Sequence, residues 1–247
     1  MIKLCTALLL ALSFGLAGCA QQQGVALPVG GSVTQTIYLH PASHPFASAV
    51  FFPGGSGVVA AVQGNFLLRV AHDFAAKGIT VAVADSPSDH PEGMSRDFRA
   101  SAPAAADAAA IVAFLRHEPG VPVWLVGTSN GTISAANAAV RIGPPQVAGL
   151  VLTSSVWNGG MAAVPLDRLR VPTLIVHNRN DGCVESPFSQ AAPALAEMSA
   201  VPVKQLISVS SSAETSQPCG AFSPHGYLGI EPTVVSDIVD WIRMHER

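Results

Sequence analysis

Short runs of β-branched and other apolar residues alternate along this chain with longer, alanine-rich segments, and this alternation constrains the fold more than any other feature. Apolar runs typical of strands lie at 34–39, 49–52, 79–84, 121–126, 147–153, 171–176 and 203–209. Segments with helical periodicity lie between them, at 66–77, 101–117, 129–141, 189–199 and 232–245. Strands separated by helices favour a mostly parallel sheet with helices on both faces. The sequence therefore predicts an α/β fold.

The composition is that of one packed domain. Of the 247 residues, 49% are hydrophobic and 12% are charged, which excludes a solvated, disordered chain. No segment repeats at a fixed period, so a solenoid is excluded. The formal net charge is −3 and the sequence has no basic run, so nucleic acid is not an expected partner. We expect a monomer.

The N-terminus has the features of a secretory signal. Lys3 supplies a positive charge, and the apolar run 6–17 is shorter than the roughly 20 residues that a membrane-spanning helix needs. The run ends in Leu-Ala-Gly-Cys with Cys19 as the last residue, which resembles the lipobox of bacterial lipoproteins. This resemblance implies that residues 1–18 are removed and that Cys19 is acylated. A signal peptide that merely contains a cysteine at its cleavage site is the alternative.

The segment that follows this cysteine is small, polar and rich in glycine. We therefore interpret residues 19–32 as a flexible tether and residues 33–247 as the folded domain. By the same resemblance, Ala20 favours sorting to an outer membrane over retention in the inner one. The expected location is the bacterial cell envelope, with the domain anchored by lipid and facing the periplasm.

The motif Gly-Thr-Ser-Asn-Gly at 127–131 follows the buried strand 121–126 and begins a helix. A serine at such a turn sits on a strained backbone, and glycines two residues before and after it leave room for neighbouring chain. The bare Gly-x-Ser-x-Gly pattern is weak, but its place between a strand and a helix is specific. Ser129 could also be a simple N-cap of that helix.

From Thr34 onward the chain resembles the α/β-hydrolase superfamily of serine hydrolases, whose catalytic residues follow the chain order serine, acid, histidine. The segment 51–57 ends an early strand where the family keeps an oxyanion loop. The segment 177–181, His-Asn-Arg-Asn-Asp, lies at the position of the acid. His225 lies just before the last helix, where the catalytic histidine belongs.

The resemblance implies a role for each of these residues. Ser129 would be the nucleophile, His225 the general base, and Asp181 the acid that orients it. The backbone amides of Gly55 and Asn130 would bind the oxyanion. The resemblance calls for no metal and no organic cofactor.

Two points stay open in this assignment. Asp181 could be a turn residue, with Glu185 as the acid. Pro53 and Gly54 stand where many members of the family have His-Gly, so the amide that points inward is undecided.

Cys183 and Cys219 are the two cysteines left for an oxidising compartment once the lipid takes Cys19. Since one lies near Asp181 and the other near His225, we predict a disulfide between them. Two buried free thiols are the alternative. A metal site is a weaker interpretation, because neither cysteine has the spacing of a metal motif.

A short stretch, 155–169, joins two core strands where many members of the family insert a large cap. This implies an open, lidless site in the manner of dienelactone hydrolases and cutinases, suited to small or extended esters. Trp157, Met161 and Phe188 could line an acyl pocket, although ordinary core packing is the better interpretation for any one of them. We expect a carboxylic ester hydrolase. A serine peptidase or acyltransferase with the same triad, or a non-catalytic envelope lipoprotein that uses the fold for binding, are the alternatives.

Overall fold

The computed structural model describes residues 24–246, which form an eight-stranded sheet with helices on both faces. The strands are β1 (Gly24–Gly30), β2 (Val33–His40), β3 (Ala47–Phe52), β4 (Ile79–Ala84), β5 (Val123–Thr128), β6 (Gly149–Thr153), β7 (Thr173–Asn178) and β8 (Lys204–Val209). Their order is β1-β2-β4-β3-β5-β6-β7-β8. The pairs β1-β2 and β2-β4 are antiparallel and all the others are parallel. The predicted, mostly parallel α/β sheet is confirmed.

Six helices cover the sheet: α1 (Phe66–Ala76), α2 (Arg96–Arg99), α3 (Ala102–His117), α4 (Gly131–Ile142), α5 (Ala191–Glu197) and α6 (Glu231–Met244). Successive residues of a strand face opposite sides, so the sheet divides the core in two. Val50 and Leu125 pack with α3, α4 and α5 on one face. Phe51 and Val126 pack with α1 and α6 on the other.

The boundaries of several elements follow directly from local sequence. The apolar run 79–84 forms β4 with the predicted bounds. Asn65 caps α1, since its side chain accepts a hydrogen bond from the Leu67 amide. Ser101 caps α3 in the same way, through the Ala104 amide. In these elements the local signal agrees with the tertiary structure.

The predicted tether 19–32 is wrong for residues 24–32, because β1 occupies Gly24–Gly30 and pairs with β2. Val25 and Leu27 alternate along β1 and pack against the core, which is the period-two pattern of a strand. Pro28 lies in this outermost strand, where a missing amide hydrogen is tolerated. The folded domain therefore includes residues 24–32 as well as those predicted from residue 33 onward.

The predicted signal peptide 1–18 and the acylated Cys19 lie outside the described residues. Among residues 24–246, no helix is both long enough and apolar enough to cross a membrane.

The predicted disulfide is present, between Cys183 and Cys219. It joins the loop that follows β7 to the loop that follows β8, across a sequence separation of 36 residues. The covalent bond therefore connects two loops at the carboxyl edge of the sheet.

Reduction of this disulfide should lower the melting temperature. In the chain-entropy account, a disulfide that closes a loop of this length stabilises the folded state by about 4 kcal/mol. Loss of this energy corresponds to a fall of roughly 10 °C in the melting temperature of a domain of this size. Differential scanning calorimetry with and without reductant measures the effect. The double variant Cys183→Ser/Cys219→Ser is the control, and its melting temperature should not respond to reductant. Two alkylatable thiols in the native, unreduced protein would contradict the pairing.

Candidate active site

Ser129 lies on a sharp turn directly after β5, with a backbone φ of +52°. This left-handed conformation is costly for any residue other than glycine. The turn can form because the glycines on either side of it allow neighbouring backbone segments to pack closely. A side chain at Gly127 would meet the backbone of α4, and one at Gly131 would overlap the carbonyl oxygen of Phe52. The two glycines thus let α4 start against β3 and β5.

A cleft of about 240 Å³ opens at this edge of the sheet, and Ser129 and His225 both line it. One wall comes from the segment 61–66 and the other from the segment 219–226. Among the described residues that line the cleft, none is Asp, Glu, Lys or Arg. Apart from the imidazole of His225, the cleft surface is therefore neutral.

His225 is nearly buried, with 5% of its surface exposed. Its Nδ1 lies 2.8 Å from Oδ2 of Asp181 and donates to that carboxylate. Its Nε2 is buried and has no hydrogen-bond partner among the described residues. With the Nδ1 proton held by the carboxylate, Nε2 presents a lone pair that can accept a proton.

The backbone around His225 is anchored to the sheet. The His225 carbonyl accepts a hydrogen bond from Oγ of Ser154 at 2.7 Å. Tyr227, two residues further along, is fully buried and also binds the sheet. Its hydroxyl donates to the carbonyl of Val176 at 2.7 Å and accepts from the amide of Ser154 at 2.9 Å. Burial raises the pKa of Tyr227, so the phenol stays protonated and keeps this donor.

Asp181 lies after β7 with no exposed side-chain surface. Oδ2 accepts from His225 and, at 3.1 Å, from the Ser186 hydroxyl, while Oδ1 accepts from the Cys183 amide at 2.9 Å. Nε2 of His177 lies 3.4 Å from Oδ2. Burial acts to raise the pKa of Asp181, but the hydrogen bonds and the charge of His225 outweigh it and lower the pKa to about 2. The carboxylate is therefore ionised at neutral pH.

Glu185, the alternative acid, has a different partner. Its Oε2 lies 2.9 Å from Nη1 of Arg96, and 40% of its side chain is exposed. The structure thus brings Asp181, and not Glu185, to His225.

Gly55 and Asn130 lie close together beside Ser129. Nδ2 of Asn130 donates to the carbonyl of Gly55 at 3.2 Å. Asn130 is the N-cap residue of α4, so its amide has no acceptor within the helix. Gly55 has a φ of +58° and lines the cleft. The use of their amides as an oxyanion hole stays a prediction.

Trp157, Met161 and Phe188 are not among the residues that line this cleft. Trp157 and Met161 line a separate pocket, and the Phe188 ring packs edge-on against His177 at 5.9 Å. The packing alternative therefore fits these side chains better than an acyl pocket. Small residues of the segments 61–66 and 219–226 line the cleft instead.

Two arginines of α2 support the site, and neither was predicted from the sequence. Arg96 donates to Oδ1 of Asn130 at 3.0 Å. Arg99 is fully buried and donates to the Gly55 carbonyl and to Oγ of Ser134. Burial lowers the pKa of Arg99 to about 10, which leaves it charged at neutral pH. α2 lies in a long loop without periodicity, so no sequence pattern marked these residues.

Within residues 24–246, no group of three or more His, Cys, Asp or Glu side chains is arranged to hold a metal ion. The segment between β6 and β7 carries two single-turn 3-10 helices, Met161–Ala163 and Leu166–Arg168, in place of a cap domain. The cleft is therefore open.

No family model and no curated protein matches this sequence. Solved structures do match its fold. A dienelactone hydrolase from Anabaena variabilis ATCC 29413 is 18% identical with a TM-score of 0.69, over 92% of this chain and 99% of that one. The esterase Pf2001 of Pyrococcus furiosus is 10% identical with a TM-score of 0.69, over 91% and 93%.

An α/β serine hydrolase without a lid from Xanthomonas campestris is 15% identical, with a TM-score of 0.64 and coverage of 90% and 94%. These likenesses extend over nearly the whole of each chain. Together with the sheet order, they show that the chain has the α/β-hydrolase fold.

Proposed function

We propose that this protein is a serine hydrolase that cleaves carboxylic esters through Ser129, His225 and Asp181. One observation carries the proposal. Nδ1 of His225 is bound to an ionised, buried carboxylate, while its Nε2 is unpaired among the described residues and belongs to the same cleft as Ser129. This is the arrangement that a general base for a serine hydroxyl requires.

In the acylation step, Nε2 of His225 takes the hydroxyl proton as Oγ of Ser129 attacks the ester carbonyl carbon. The amides of Gly55 and Asn130 stabilise the negative oxygen of the tetrahedral intermediate. When the intermediate collapses, the bond to the alkoxide breaks and His225 returns the proton to it. Water then attacks the acyl-enzyme by the same route, releasing the acid and freeing Ser129.

Asp181 stays ionised throughout this cycle because its pKa is lowered to about 2. It holds the Nδ1 proton in place and stabilises the imidazolium that forms in each step.

The size and the neutral lining of the cleft suit a small, uncharged substrate group. Its volume is about 240 Å³, its walls are mostly Gly, Ala and other small residues, and no cap covers it. The similar structures named above are a dienelactone hydrolase, an esterase and a serine hydrolase, which agrees with ester chemistry.

We also propose that the domain is anchored by a lipid on Cys19 to the bacterial outer membrane, facing the periplasm. The support is the apolar run 6–17 that ends in Leu-Ala-Gly-Cys.

Ser129→Ala should abolish labelling by a fluorophosphonate probe and lower kcat for p-nitrophenyl acetate by about 10⁴-fold or more, because the nucleophile is gone. Circular dichroism should show an unchanged fold. Ser155→Ala is the matched control, since that hydroxyl is buried and has no partner among the described residues. Labelling that persists in Ser129→Ala would overturn the assignment.

Asp181→Asn should reduce kcat by about 10³–10⁴-fold, because the amide cannot hold the His225 tautomer or stabilise its charge. Glu185→Gln should change kcat by less than about fivefold, since a half-exposed ion pair contributes about 1 kcal/mol or less. Steady-state kinetics of both variants decide the point. The reverse order would transfer the acid role to Glu185.

Cys19→Ser should release the protein from the membrane fraction or leave its precursor uncleaved. Membrane fractionation and mass spectrometry of the mature N-terminus measure this. A wild-type protein that is fully soluble and unmodified would contradict lipidation.

A further inference from the structure

Arg69, in α1, makes several hydrogen bonds to the loop that carries His225. The proposed mechanism does not use these contacts. Nη1 donates to the carbonyls of Gly64 and Ala221, the latter at 2.9 Å. Nη2 donates to the Gly226 carbonyl at 2.7 Å and to Oε1 of Glu231 at 2.8 Å. The guanidinium thus has four oxygen acceptors while its side chain is 19% exposed.

Three of these acceptors belong to the walls of the cleft. Gly64 lies on one wall, and Ala221 and Gly226 lie on the other. Ala221 precedes His225 by four residues and Gly226 follows it directly. A single planar group therefore joins the two walls and holds the chain on both sides of the histidine.

Phe222 also contacts this guanidinium. Cζ of Arg69 lies over the Phe222 ring, 5.1 Å from the ring centroid. The ring also lies against Gly64, where an added Cβ would meet it at 3.0 Å. The guanidinium therefore binds four oxygens and packs over an aromatic ring.

The loop needs such support because it has little regular structure. Between β8 and α6 the described chain contains one single-turn helix, Pro224–Gly226. Backbone carbonyls in such a loop are not held by a ladder of hydrogen bonds. Arginine suits this task, since its donors lie in a rigid fork that matches several acceptors at once.

We propose that Arg69 is a positioning residue for His225, whose loop it holds at the cleft that Ser129 also lines. This inference rests on the proposed function for its effect on rate. Its effect on the position of the His225 imidazole does not depend on that function. A displacement of about 1 Å at a reacting group can cost about 10²-fold in rate.

Arg243 offers a matched control. This arginine of α6 also donates to a carbonyl, that of Lys77 at 3.2 Å, and its Cζ lies 4.5 Å from the ring of Phe46. It makes the same two kinds of contact at the other end of α1, away from the cleft. Removal of Arg243 tests the loss of an arginine that packs on a ring, without touching the His225 loop.

The experiment compares Arg69→Ala, Arg69→Lys and Arg243→Ala with the wild type. For p-nitrophenyl acetate we expect Arg69→Ala to lower kcat about 10²-fold, with KM changed by less than about threefold. Arg69→Lys should recover part of this loss, because one ammonium group cannot reach four acceptors. Arg243→Ala should keep the kcat of the wild type. If Arg69→Ala does not fold, the Arg69→Lys variant gives the test.

Proton NMR gives a second measure that needs no activity. The Nδ1 proton of His225, bound to Asp181, should give a downfield signal in the wild type and in Arg243→Ala. The signal should broaden or vanish in the Arg69 variants. An unchanged signal and an unchanged kcat in folded Arg69→Ala would overturn the proposal. A wild type that shows the signal but cleaves no ester would refute the proposed function alone, and the NMR comparison would still decide the role of Arg69.

Discussion

The close approach of α4 to the sheet is the constraint on which the rest of the site depends. The carbonyl oxygen of Phe52 occupies the space that any side chain at Gly131 would need. This contact sets where the helix begins, and the preceding residues must turn sharply to reach it. Ser129 takes a left-handed backbone conformation as a result. The strain at this residue is therefore maintained by packing on both sides, and it lifts the serine out of the strand and into the cleft.

The charged groups of the site are fixed by contacts in the interior of the protein. The buried carboxylate of Asp181 keeps its charge because four groups donate to it or lie close to it, and it accepts the hydrogen bond of one imidazole nitrogen. Buried Arg99 and partly buried Arg96 bind the carbonyl of Gly55 and the side-chain amide of Asn130. Charged groups of both signs are thus fixed around the residues that flank Ser129 by contacts within the protein.

Much of the fold could be predicted from sequence, because runs such as 79–84 and the cap at Asn65 are local signals. The assignment of Ser129, Asp181 and His225 came from the resemblance to the α/β-hydrolase superfamily, in which the serine turn and the acid follow strands and the histidine precedes the last helix. β1 was missed because Pro28 and the nearby glycines resemble a linker. Its pairing with β2 was not visible in composition.

The side-chain surroundings of the site were beyond sequence reasoning for a different physical reason. Arg69 and Arg96 act through loops that lie 152 and 89 residues away in the chain, so no periodicity marks them. Trp157 and Met161 were placed by residue type, yet the direction of a side chain depends on the packing of its neighbours. Long-range contacts of this kind depend on the assembled structure.

The phenol of Tyr227 links the unfolding of the His225 loop to the unfolding of the sheet. It binds the end of β7 and the turn after β6, and Ser154 of that turn binds the carbonyl of His225. The loop that carries His225 is therefore part of the same cooperative unit as the central strands, rather than a segment that unfolds by itself. Exposure of the imidazole to solvent must break bonds at the centre of the sheet. A molecule built in this way loses the arrangement around His225 and its core in one transition, so partial denaturation leaves few molecules with a folded core and a displaced imidazole.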